Sequence, residues 1–410
     1  MENRPERETK NKEVLENPEY LTTQIITYIG NKRSLLPNIE AEICEIKKIL
    51  GKDRLVCADV FSGSGIVSRM MKKHSSVLYV NDLENYSRII NSCYLTNKSD
   101  FPEEEYRTLH KTLLEKAEKE PREGIIAKNY APKDDSSIKT GERVFYTHQN
   151  AVLIDTYRAL IEETVPENLK NFFLAPLLSE ASIHVNTSGV FKGFYKNPDT
   201  GLGCFGGKGK NALTRILGKV ELKKPVFSNF NSEVKLFQLD ALKFAETVTK
   251  VSEEENSSSK KEMGGHQQDS SAGKTEASGS LLFDIAYLDP PYNQHPYGSN
   301  YFMLNLILKN KIDCDISKVS GITKDWNRSD FNRPYAALKT LEKVIEALDA
   351  KYIIISYNSE GFIKFNEMKE MLEKYGKLKT TEIPYHTFRG SRNLNERSLT
   401  VKEFLFILEK

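Results

Sequence analysis

The sequence predicts an α/β protein: a doubly wound, mostly parallel sheet with an inserted, mainly helical lobe. Three observations carry this. Short apolar runs alternate with helical patterns, a glycine-rich turn follows the first such run, and the alternation breaks off between about Asp100 and Lys224.

The strand candidates are residues 55–61, 77–81, 234–239, 283–288 and 352–356. Several are apolar nearly throughout, as strands buried on both faces must be. Helical patterns at 66–73, 87–94, 241–249, 301–311 and 334–350 follow most of them, and strand–helix repetition of this kind implies a doubly wound sheet. Phe404-Leu-Phe-Ile-Leu408 reads as a last strand on the sheet's edge. The interval 100–224 opens with charged helical sequence at 103–120. It later carries a basic stretch rich in Gly and Asn, 186–210. It reads as a lobe set into a sheet domain formed by 21–99 and 225–410. Residues 1–20 read as a polar, disordered lead-in. Residues 252–280, rich in Ser, Glu, Lys, Gly and Gln, cannot bury enough apolar surface to offset their ordering entropy and read as a flexible insertion.

The 410 residues include 59 basic and 57 acidic side chains, a formal net charge of +2. This excludes a uniformly basic chain but not a basic cleft, which is what a phosphate backbone feels. The five cysteines lie far apart with no Cys-x-x-Cys pair, against a disulfide framework or zinc site and in keeping with a reducing cytosol. The charged N-terminus lacks the apolar core of a signal peptide, and no apolar run approaches the roughly 18 residues needed to span a bilayer. A soluble, cytoplasmic protein is expected, with no membrane partner.

Asp59-Val-Phe-Ser-Gly-Ser-Gly65 stands where the first strand should end and a helix begin. Gly63 and Gly65 let the backbone turn tightly and approach a ligand, and the helix start adds a partial positive charge. The turn lacks a P-loop lysine, which favours a nucleoside ligand without a pyrophosphate. Asn81-Asp82 follows about 20 residues later, where an acidic residue can accept hydrogen bonds from ribose hydroxyls. The alternative for Asp82 is a helix N-cap, and the two are compatible. Upstream, Thr27 to Pro37 offers Tyr28, Gly30 and Lys32 ahead of a helix, suited to a loop folded over a small ligand.

Asp289-Pro-Pro-Tyr292 directly follows the strand 283–288. Two prolines cannot continue a central strand or a helix, so Pro290 and Pro291 take the chain out of the sheet in a fixed turn. Asp289 and the Pro290 carbonyl can accept both hydrogens of an exocyclic amine, and Tyr292 can stack on the ring that carries it.

At these residues the chain resembles the α-group adenine-N6 DNA methyltransferases, the family that includes the GATC-methylating deoxyadenosine methylases. Tyr28-Ile-Gly-Asn-Lys32 is similar to that family's N-terminal cofactor motif, Phe61-Ser-Gly-Ser-Gly65 to its glycine motif, Asn81-Asp82 to its ribose motif and Asp289–Tyr292 to its catalytic motif. The resemblance implies a Rossmann-like S-adenosyl-L-methionine methyltransferase fold, with 100–224 as the target-recognition lobe. It implies contacts to the cofactor from Tyr28, Lys32, Asp59, Phe61, Gly63, Gly65, Asp82 and Asp289, and from Asp240 to the adenine amine. Asn293–Tyr301 and Ser356–Gly361 look like blocks of one subgroup. The expected partner is double-stranded DNA, with a separately encoded restriction endonuclease as a further possible partner. Lys192, Lys196, Lys208, Lys210 and Arg215, mixed with glycines and aromatics, suit phosphate and base-edge contacts, and Arg389, Arg392 and Arg397 form a second basic cluster. His295 and His386 read as groove contacts or ordinary surface. Transfer from a sulfonium needs positioning rather than acid–base chemistry, so no metal is expected. Cytosine N4, RNA adenine and a protein amide are rival acceptors, and an inactive nucleic-acid binder is the rival of a different class.

Overall fold

The computed structural model describes residues 14–250, 282–386 and 400–410. Seven strands form one sheet: β1 (Leu55–Asp59), β2 (Ser75–Asn81), β3 (Glu233–Phe237), β4 (Phe283–Leu288), β5 (Ala350–Asn358), β6 (Lys377–His386) and β7 (Thr400–Glu409). Their spatial order is β3-β2-β1-β4-β5-β7-β6. β1 to β5 are mutually parallel, and β7 runs antiparallel to both β5 and β6. The chain moves outward from β1 to β3, then returns to the other side of β1 with β4. The point where strand order reverses therefore lies between β1 and β4, and the crevice beyond their C-terminal ends is where an open α/β sheet binds ligands.

Alternating side chains of the central strands enter two separate apolar clusters, one on each face. Cys57, Ile285, Tyr287 and Ile354 pack with the helices Leu36–Leu50 and Ile66–Lys72. Ala58, Ala286, Leu288 and Ile353 pack with the helix over 241–250 and the helices Pro334–Ala347 and Phe365–Leu372. Burial on both faces explains why these strands read as near-continuous apolar runs.

Two features differ from the expectation. Phe404–Leu408 is not on the edge: β7 lies between β5 and β6, with Phe404, Phe406 and Leu408 on one face and Leu405 and Ile407 on the other. The edge belongs to β6, whose Lys-Leu-Lys-Thr-Thr-Glu-Ile-Pro sequence carries little apolar signal. Pro384 is tolerated there because an edge strand has one unpaired side. The end of the lead-in is also ordered. Tyr20 is fully buried and its hydroxyl donates to the Tyr94 carbonyl at 2.7 Å, while Asn17 Nδ2 donates to the Phe227 carbonyl at 3.1 Å. Its polar side chains are used as specific hydrogen-bonding groups rather than left in solvent. Residues 1–13 and the 252–280 stretch lie outside the described residues.

A third cluster stands off the sheet. The helices Asn85–Tyr94, Glu103–Lys119, Ile125–Tyr130, His148–Thr164 and Asn171–Ile183 share it, and the helix Phe302–Lys309 packs there too. Tyr86, Phe145, Phe173 and Tyr301 are among its buried rings. This helical body flanks the crevice at the C-terminal ends of β1, β2 and β4.

Candidate active site

The turn after β1 is held from three sides. Val60 N donates to the Tyr287 carbonyl of β4 (3.0 Å) and Ser62 N to the Asn81 carbonyl of β2 (2.9 Å). Ser87 Oγ donates to the Gly63 carbonyl at 2.7 Å. Gly63 and Gly65 both have positive φ, 51° and 75°. They differ in what they face. A Cβ on Gly63 would come within 2.8 Å of the Tyr28 ring beside the cavity, whereas one on Gly65 would collide with Asn91 Oδ1 in the protein interior. Asp59 is likewise behind the turn: it is fully buried, Ser68 Oγ donates to its Oδ2, and burial pushes its carboxyl up to about 7. Asp59 and Gly65, two of the expected ligand contacts, thus shape the turn from within.

Asp82 closes the same turn. Its Oδ2 accepts from Gly63 N at 2.7 Å and its Oδ1 from Glu84 N at 2.8 Å, which makes it a local turn ahead of the helix Asn85–Tyr94 rather than that helix's N-cap. Burial pushes its carboxyl up to about 6, against the lowering pull of these backbone N–H groups. Asn81 clamps the strand ends, with Nδ2 donating to the Val60 and Leu239 carbonyls at 3.1 and 3.0 Å. Asp240 follows β3 and accepts from Leu242 N at 3.0 Å, starting the helix over 241–250.

Together these elements line an open cavity of about 660 Å³, the solvent at its mouth included. Tyr28, Phe61, Gly63, Asp82, Asp240, Asp289 and Pro291 line it, so residues from four separated motifs meet at one place. Glu84, Tyr297, Asn327, Ser329 and Asn332 line it as well. Glu84 is buried, receives Asn305 Nδ2 at 2.7 Å, and is pushed up to about 7 by desolvation and then by Asp82. Glu84 sits two residues beyond a motif that sequence reading flags. Asn327, Ser329 and Asn332 lie in a polar segment that ends in the 3-10 turn Asp330–Asn332, with Ser329 as its N-cap, and carry no periodic or motif signal.

Lys32 stands beneath Asp289. Its Nζ is 2.9 Å from Asp289 Oδ1 and 3.2 Å from the Gly30 carbonyl. Burial alone would lower the ammonium's pKa, but the carboxylates of Asp289 and Glu403 more than offset this and hold it raised. Burial pushes the Asp289 carboxyl up to about 6, with Lys32 opposing the shift and Glu403 adding to it. After Asp289 the turn is fixed by Phe362 N donating to the Tyr292 carbonyl at 3.1 Å and Asn332 Nδ2 donating to the Asn293 carbonyl at 2.8 Å.

Tyr292 faces a second cavity, of about 550 Å³, with Ile29, Val190, Lys192, His295 and Asn300. Tyr297 lines both cavities. Lys192 Nζ lies 3.3 Å from His295 Nδ1 at the second cavity. The remaining basic candidates are dispersed. Lys196 lies over the Phe194 ring, Lys208 pairs with Asp199 at 3.3 Å, and Lys210 occupies a left-handed turn position. Arg215 points inward: its guanidinium donates to the carbonyls of Ile183, Val185 and Thr187, so it ties the lobe together and is not free for a phosphate. Arg389, Arg392 and Arg397 lie outside the described residues, as does the His386 side chain. No helix among the described residues is long and apolar enough to cross a membrane.

Residues 28–200 and 227–371 match the family described as D12 class N6 adenine-specific DNA methyltransferase. The type II methyltransferase M.NlaIII of Neisseria lactamica is 29% identical over 395 residues, 94% of this chain and 99% of that protein. The type II methyltransferase M.CviAII of Paramecium bursaria Chlorella virus 1 is 28% identical over 388 residues, 93% of this chain and 98% of that protein. The type II methyltransferase M.FokI of Planomicrobium okeanokoites is 28% identical over 407 residues, and there the alignment covers 52% of the relative. With most of its length matched and its motifs converging on one crevice, the chain belongs to the D12 class of N6 adenine-specific DNA methyltransferases.

Proposed function

We propose that the protein transfers a methyl group from S-adenosyl-L-methionine to N6 of an adenine flipped out of duplex DNA, as a type II modification enzyme. The observation that carries this reading is the pair of adjoining cavities, with Asp289 on the first, Tyr292 on the second and Tyr297 on both. The first suits a cationic nucleoside: the carboxylates of Asp82, Glu84, Asp240 and Asp289 line it beside the rings of Tyr28 and Phe61. S-adenosyl-L-methionine supplies a methyl group already activated on a sulfonium.

This chain's residues supply position and charge. Asp289 Oδ1 is committed to Lys32, and its Oδ2 takes no protein hydrogen bond among the described residues, leaving it to accept from the amine. The Pro290 carbonyl accepts the second amine hydrogen, Pro291 fixes the turn, and Tyr292 stacks on the base. A base inside a duplex is unreachable, so it must leave the stack at a cost of a few kcal/mol. Lys192, Lys196, Lys208 and Lys210, with Arg389 and Arg392, contact the DNA, and the 100–224 lobe reads its sequence. Working in the cytoplasm on the cell's own duplex, such an enzyme would protect it from a separately encoded endonuclease.

The test is transfer from labelled S-adenosyl-L-methionine to unmethylated genomic DNA, with duplex RNA and bulk protein as parallel acceptors. Label in DNA as N6-methyladenine, at one short sequence, is the expected result. Label in RNA or protein alone, or in cytosine, would overturn the reading.

A further inference from the structure

Sheet interiors rarely hold a carboxylate, because burying the charge is costly unless it is paired. β7 is nevertheless interrupted by Glu403, which is 3% exposed and stands directly opposite Asn358 of β5 in the antiparallel ladder. Its Oε1 accepts from Asn358 Nδ2 at 3.3 Å and lies 3.7 Å from Lys32 Nζ. Its Oε2 is buried and has no hydrogen-bond partner among the described residues. None of the motifs that identify the family contains this residue. It does not line the cavity that Asp289 faces, yet it shares Lys32 with Asp289.

An ammonium has three N–H donors. Two of those of Lys32 are taken by the Gly30 carbonyl in its own turn and Asp289 Oδ1 at the end of β4, while Glu403 Oε1 on β7 faces the ammonium at 3.7 Å as an ion pair, beyond hydrogen-bond reach. Without Glu403, Asp289 would face the reacting amine as half of a neutral pair, its charge spent on Lys32. With Glu403 the buried cluster carries one net negative charge, and its exposed end is Asp289. That is the charge required where a positive amine develops from a neutral one.

We propose that Glu403 is a positioning residue for methyl transfer: with Asn358 it anchors and neutralises Lys32, so that Lys32 orients Asp289 without cancelling its charge. The inference rests on the adenine-methylating reading of the site. The charged and titratable groups around Asp289 among the described residues are Lys32, Glu403, Asp59 and the phenols of Tyr287 and Tyr297, with Asp82, Glu84 and Asp240 on the same cavity and Tyr292 beside Lys32. Of the carboxylates other than Asp289 in that group, only Glu403 also contacts Lys32. Removing its charge should therefore ease ionisation of Asp289 while weakening the field at the amine.

The experiment is single-turnover methyl transfer across pH 5–9 by full-length Glu403→Gln and Glu403→Asp, beside the wild type, with cofactor and DNA affinities measured separately. Glutamine keeps the shape and an acceptor for Asn358 but removes the charge. Its rate at the plateau should fall roughly tenfold or more, while both affinities stay within about threefold. The acid limb of its pH profile should move to lower pH, by about half a unit or more. Glu403→Asp keeps the charge and should hold the limb at the wild-type position, which also supplies the answer if the glutamine variant does not fold. A wild-type rate and an unmoved limb in Glu403→Gln would overturn the proposal. So would a slower rate with an unmoved limb, or a displaced limb in Glu403→Asp. A wild type that does not methylate adenine would instead overturn the underlying reading of the site.

Discussion

The ring of Tyr297 is stacked on that of Tyr28, with centroids 5.0 Å apart, and the same Tyr297 forms a wall of both cavities. Its hydroxyl donates to the Ile29 carbonyl at 3.1 Å, so the partition is tied to the loop that precedes Lys32. Tyr297→Ala should open the two cavities to each other and lower kcat by about 100-fold, because transfer depends on holding two reactants in register. Tyr297→Phe keeps the stack and loses one hydrogen bond, and should retain activity within several-fold. Steady-state kinetics on the two variants measure this, and equal losses would refute the partition role.

The two glycines of the turn should separate binding from stability. Gly63→Ala presses on Tyr28 at the cavity and should weaken cofactor affinity by at least tenfold with a modest change in Tm. Gly65→Ala presses on Asn91 behind the turn. It should destabilise the fold by about 1–3 kcal/mol, the usual cost of overpacking, as measured by denaturant unfolding.

The carboxylates that line the first cavity should set the pH dependence of cofactor binding. Asp82 and Asp289 are pushed up to about 6 and Glu84 to about 7. For an acid raised in the folded state, the stability contribution is complete below the unfolded value near 4 and is lost as pH rises through the folded value. The stability these three groups contribute to the ligand-free protein should therefore be lost between about pH 4 and 7. A cationic ligand favours the ionised forms, so S-adenosyl-L-methionine should bind more tightly as pH rises from 5.5 to 7.5, with protons released to the buffer. Calorimetry in two buffers of different ionisation enthalpy reads both, and a pH-independent affinity would contradict the assignment.

Lys192 meets His295 at the second cavity, which the proposed function assigns to the flipped base. Lys192→Ala should weaken binding to all duplexes alike and reduce the slope of log affinity against log salt by about one. A loss confined to one sequence would make it a base contact instead.

Much of the sheet was legible because parallel strands buried on both faces write their burial directly into apolar runs, as β4 and β5 do. β6 was not, since Lys377, Lys379 and Glu382 face solvent on an edge and its pattern resembles a loop. The candidate site divides in the same way. Gly63, Asp82 and Asp289 stand at strand ends, where the turn chemistry is local and short motifs record it. Asn327 and Glu403 reach the site through long-range folding, and no local pattern around them marks it. Arg215 shows the converse: its basic neighbourhood suggested DNA, but three backbone carbonyls at the end of the helix Asn171–Ile183 needed a donor and took it.

In the proposed function Asp289, held by Lys32, acts on the amine in the transition state and not in holding the fold together. The direct measurement is nucleoside mass spectrometry and single-turnover kinetics on DNA treated with wild type, Asp289→Asn or Asp289→Ala, with cofactor binding checked by calorimetry. N6-methyladenine is the expected product of the wild type. Both variants should lose about 100-fold or more in rate, with cofactor binding retained within tenfold. N6-methyladenine formed at near wild-type rate by Asp289→Ala, or N4-methylcytosine as the wild-type product, would contradict the proposed function.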